Sequence, residues 1–102
     1  MDPYLVDILE EFLDNIVSKD SLDQSWDTWS RVKDAGGIVS FNDFVFGTLN
    51  GAVVSLFSSF HGKNVDELTD EEFEGLRELL IHRYEGLEKQ ITRFQNNKSN
   101  KD

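Results

Sequence analysis

Cysteine is missing from this chain, proline and methionine occur once each, and Lys and Arg together number 10 against 20 Asp and Glu. Without cysteine there is no disulfide, no thiolate metal ligand and no catalytic thiol, which fits a reducing compartment. With a formal net charge of −10, affinity for nucleic acid that depends on Lys and Arg displacing counterions is not expected. Near Met1 no basic segment leads into an apolar run, so no signal peptide is expected and the location is read as cytoplasmic. Long hydrophobic runs are scarce too. The one charge-free stretch, Phe44 to Phe60, is 17 residues, short for a hydrocarbon layer of about 30 Å. It also carries Thr48, Asn50, Ser55, Ser58 and Ser59, so it reads as a helix buried in a soluble core, with no membrane partner.

What is present is core material for one domain. The 102 residues are 38% hydrophobic, with eight Phe, two Tyr and two Trp, a composition of globular chains and close to the commonest domain size. Residues 1–95 are expected to form a single helical domain and 96–102, which read Asn-Asn-Lys-Ser-Asn-Lys-Asp, a flexible polar tail with nothing to bury.

Helix starts are written in the sequence. Asp2-Pro3 places a side-chain acceptor at an N-cap and proline at the first helical position, where its missing N–H costs nothing. Leu5, Leu9, Phe12 and Ile16 then recur at helical spacing, which predicts a helix over 3–18. Ser21-Leu22-Asp23-Gln24 has the form of a capping box and predicts a second helix over 21–34, stopped by Gly36-Gly37. Ser40 opens a third helix over 41–60, with Val39 and Phe44 as a hydrophobic staple, and His61-Gly62 suits its C-terminal end. A short strand through Ile38 to Phe41 is the competing local reading. Asn64 to Glu67 suggests one helical turn near 64–68. Thr69-Asp70-Glu71-Glu72 is a full capping box, stapled by Leu68 and Phe73, that opens the longest helix, 70–95. Its stripe is Phe73, Leu76, Leu80, Tyr84, Leu87, Ile91 and Phe94. The fold class is therefore all-α: a compact bundle of four main helices, with the nearly apolar third helix surrounded by the others.

Enzyme chemistry has little support. No serine sits in a nucleophile elbow, no phosphate loop is present, and His61 and His82 have no partner set by spacing. Glu78, His82 and Glu85 share one helix face, but the spacing is not the Glu-x-x-His of di-metal bundles, and Glu78 with His82 reads as a surface pair. The acidic run from Asp66 to Glu74 lacks the oxygen-donor order of a calcium loop and is favoured simply by helix starts. No catalytic residue, cofactor or metal is expected.

The favoured role is an interaction or regulatory module that docks on a basic surface of a partner protein. Asp7, Glu10, Glu11, Asp14, Asp23 and Asp27 would steer the encounter, and Trp26 and Trp29 would supply affinity if exposed. For the two tryptophans core packing is the competing explanation. Gly47-x-x-x-Gly51, with Ala52 and Ser55, suits close approach of a neighbouring helix in the same chain or a partner's, so a homodimer is the second expectation. A nucleic-acid mimic, using the row Asp7, Glu11 and Asp14 at roughly phosphate spacing, ranks below these. An enzyme or metal protein ranks last.

Overall fold

The computed structural model describes residues 2–34 and 40–101, with side chains described as far as residue 99. Within these residues the chain forms helices α1 (Pro3–Ile16), α2 (Lys19–Lys33), α3 (Phe41–Phe60) and α4 (Asp70–Lys101), with one 3₁₀ turn at Val65–Glu67 before α4. The fold is an all-α bundle, as the pattern of caps and apolar repeats predicts. Residues 35–39, which include the expected Gly36-Gly37 break, the competing strand and Val39 of the staple, lie outside the described residues.

The caps explain why helices begin where they do. The Tyr4 backbone N–H donates to the Asp2 carboxylate at 2.8 Å, and the Asp43 N–H donates to the Ser40 hydroxyl at 3.1 Å. At α4 the box closes in both directions: the Glu72 N–H donates to the Thr69 hydroxyl at 3.1 Å, and the Thr69 N–H donates to the Glu72 carboxylate at 2.9 Å. Each bond satisfies a donor that the first helical turn cannot pair internally. α3 ends in a Schellman arrangement, with the Lys63 N–H donating to the Ser58 carbonyl at 2.8 Å and the Gly62 N–H to Ser59 at 3.1 Å. Gly62 has φ 65°, a conformation in which a Cβ would be strained.

Three boundaries differ from the expectation: α1 ends at Ile16 rather than at 18, and the start of α2 and the end of α4 are shifted. α2 begins one turn early, capped by Ser18, whose hydroxyl accepts from the Ser21 N–H at a long 3.5 Å. Ser21 therefore lies inside the helix, and its box with Gln24 is not the start. The added turn carries Asp20 near the positive helix end and an i, i+4 pair between Lys19 and Asp23 at 3.0 Å, both of which favour the longer helix. α4 runs past residue 95 to Lys101. Polarity did not end it, because its last turns hold Lys98 against Asp23 at 3.0 Å and over the Phe94 ring.

α3 lies at the centre, packing on α1, α2, α4 and the 3₁₀ turn. Its buried residues Phe41, Val45, Leu49, Val53 and Phe57 step by four and meet Leu5, Leu9 and Leu13 of α1, Leu22 of α2, and Leu76, Leu87 and Ile91 of α4 in one core. α3 is long and apolar enough to cross a membrane by length and composition, yet Phe41, Val45, Leu49, Val53 and Phe57 are buried within the bundle. It is not surrounded on every side. Asp43, Gly47, Thr48, Asn50, Gly51, Ser55 and Ser59 are exposed, a mostly small and polar face on which Phe44 is half-buried. The bundle measures 44 × 26 × 19 Å, the long dimension matching a 32-residue α4 at about 1.5 Å per residue.

Candidate functional site

Two of the acids expected to steer a partner, Asp14 and Asp23, are paired with cations. Asp7, Glu11, Asp14 and Asp27 are exposed, but Asp14 accepts from the Arg83 guanidinium of α4, tying α1 to α4. Asp23 is held by Lys19 and Lys98, each at 3.0 Å. The hydrogen bond from Lys19, then that from Lys98, lowers the Asp23 pKa below the ordinary carboxylate value, and Asp23 in turn raises that of Lys19. Thus the row that would mimic phosphates is interrupted by a cation at Asp14.

Tertiary packing assembles a different acidic surface. Two clefts follow the line between α1 and the first half of α4. One of about 270 Å³ is lined by Asp2, Phe57, His61, Glu71, Glu72 and Gly75. The next, of about 440 Å³, is lined by Val6, Glu10, Gly75, Glu78, Leu79 and His82. They adjoin at Gly75, which lines both, and together are termed the seam; among the described residues no Lys or Arg lines either part. Glu72 in this seam has a lowered pKa, first because the Thr69 backbone N–H donates to it and then because Lys63 pairs with it at 3.0 Å. The seam's other carboxylates come from Asp2, which caps α1, and Glu10 within it, and from Glu71 and Glu78 of α4. Periodicity along a single helix could not reveal that meeting. Glu78 and His82 do share a surface, though among the described residues no group of three or more His, Asp or Glu side chains is arranged to hold a metal.

Trp26 and Trp29 are half-buried in an aromatic cluster. Their rings lie 5.0 Å apart, and each packs edge-on against the fully buried Phe41, at 5.0 and 5.5 Å. Phe94 of α4 completes the group, 6.2 Å from Trp26 and 5.8 Å from Phe41. Lys33 covers the Trp29 ring at 4.7 Å. The tryptophans thus join α2 to α3 and α4.

The apolar stripe of α4 is taken up by the same core: Leu76, Leu87 and Ile91 are buried and Phe73, Leu80 and Phe94 pack against it. Tyr84 is exposed but stacks on Phe46 of α3 at 4.9 Å, while neighbouring Ile81 is 72% exposed. Gly47 and Gly51 open onto solvent, and a Cβ at either would meet nothing within 4 Å. Among the described residues no helix makes the close approach their spacing suits.

No protein-family model matches this chain, and comparison with curated proteins and with solved structures returns no match. Function must be argued from this geometry.

Proposed function

We propose that this protein is a cytoplasmic, non-enzymatic interaction module that docks on a basic surface of a partner protein. The observation that carries this reading is the line of two clefts between α1 and α4, one with Asp2 and Glu71 and the next with Glu10 and Glu78, where among the described residues Lys63 pairs with Glu72 and the other four acids have no ion pair. Carboxylates gathered along low-dielectric walls strengthen one another's field and steer a cationic partner. The exposed Asp7 and Glu11 on α1 extend that field. The test is affinity capture from the native cell extract at low salt, comparing the wild-type protein with Glu10→Lys/Glu71→Lys/Glu78→Lys. A partner recovered by the wild type, released by salt and lost by the triple reversal supports the reading. Equal recovery by both proteins, or none by either, sinks it.

A homodimer is the second reading, favoured by the exposed Gly47 and Gly51 on α3. Since the α4 stripe is internal, self-association would use the small, nearly uncharged face of α3, where two copies of a chain of net charge −10 meet least repulsion. Sedimentation at low and high salt decides it: a dimer through this face persists in salt, and a monomer at all concentrations rules it out.

A further inference from the structure

A third cleft differs from the acidic seam in both charge and chemistry. It has a volume of about 390 Å³ and lies between the start of α2 and the last turns of α4. Val17, Leu22 and Phe94 supply its apolar lining, and Lys19, Arg93 and Lys98 are its cations, with Asp23 as the lone carboxylate. Cations outnumber acids here, in a chain where acids outnumber cations two to one.

The ion pairs show where the surplus charge stands. Asp23 is a single carboxylate shared by two ammonium groups, Lys19 on one oxygen and Lys98 on the other. Arg93 has no ionic partner among the described residues. Lys98 also lies 5.7 Å from the centre of the Phe94 ring, so positive charge and apolar lining adjoin. A guanidinium fork with an ammonium group nearby suits one carboxylate head group. The neighbouring Val17, Leu22 and Phe94 side chains suit a hydrocarbon body, and the cleft lies within the size range of small-ligand sites.

We propose that this cleft binds a small amphipathic monocarboxylate, with the head group on Arg93 and Lys98 and the hydrocarbon body on Val17, Leu22 and Phe94. The site is separate from the acidic seam and does not depend on the docking role. Asp23 acts as a built-in competitor, because it occupies the lysines that would otherwise face the ligand.

Octanoate is the probe and 1-octanol its neutral counterpart, titrated by calorimetry and by tryptophan fluorescence, since Trp26 packs on Phe94. Saturable octanoate binding is expected, with octanol weaker by about tenfold or more. Arg93→Glu should weaken octanoate by about tenfold and Arg93→Lys by less, because an ammonium keeps the charge and loses the two-pronged fork. Asp23→Asn should tighten binding by about threefold, as both lysines are released. Equal affinity for octanol, no saturable binding of octanoate, or an Arg93→Glu protein that binds as well as the wild type would overturn the proposal. Weakening by Asp23→Asn in a protein whose circular dichroism is unchanged would count against it as well.

Discussion

Lys98, three residues short of the end of α4, places its ammonium nitrogen 3.0 Å from the Asp23 carboxylate of α2. The same carboxylate holds Lys19 at 3.0 Å on its other oxygen. One acid therefore joins the start of α2 to the last turns of α4, and its state should set how the protein tolerates acid.

Asp23 and Glu72 both have folded pKa values below the ordinary range, Asp23 through its lysines and Glu72 through the Thr69 N–H and Lys63. A carboxylate with a lower pKa folded than unfolded contributes its full stabilisation above the unfolded value, near 4, and loses it as pH falls through the folded value. Stability to urea should therefore decline below about pH 4. Asp23→Asn/Glu72→Gln should be less stable than the wild type at neutral pH and lose less on acidification. Equal acid sensitivity in the two proteins would show that these groups do not set the response.

Phe41 is fully buried, and the rings of Trp26, Trp29 and Phe94 pack on it. Phe41→Ala should cost about 3–5 kcal/mol in denaturant unfolding, a large part of the stability of a domain this size. The near-UV circular dichroism of the two tryptophans should fall with it. An unchanged spectrum would mean that the tryptophans are held elsewhere.

Thr69 both donates to and accepts from Glu72 through the box that opens α4. Thr69→Ala removes the hydroxyl acceptor and should destabilise by about 1 kcal/mol, while Thr69→Ser should restore most of the loss. Chemical denaturation of the three proteins measures both effects.

Gly47 and Gly51 are in the middle of α3 with space for a methyl group. Neither has the positive φ seen at Gly62. Replacing each with Ala should stabilise a monomer by roughly 0.5–1 kcal/mol per site, through helix propensity. In a dimer packed on this face, the same methyl groups would hold the helices apart and lower self-association. Thermal melts together with sedimentation separate these outcomes.

Legibility in the sequence followed range. Thr69 with Glu72, Asp2 with Tyr4, and Ser40 with Asp43 all interact within three residues, so the order of the side chains along the chain was enough to find them. The start of α2 lies one turn before the Ser21 box because Ser18, which apolar spacing alone leaves in the first helix, can cap as well. The choice fell to the earlier one, which adds a turn and the Lys19–Asp23 pair. The α4 terminus was misread because polar composition says nothing about Asp23 on another helix.

The sequence by itself determined that this is an all-α protein with four main helices and a core stripe on each, since caps and apolar periodicity act within a few residues. Tertiary structure decided which charges are free. Asp14 is engaged by Arg83, 69 residues away, and Asp23 by Lys98, while Glu10 and Glu78 meet across two helices to line the acidic seam. It also decided that the tryptophans join the core and that α3 keeps one open face. Coulomb forces and close packing depend on distance in space, and only the folded bundle brings residues so far apart in the chain within reach of one another.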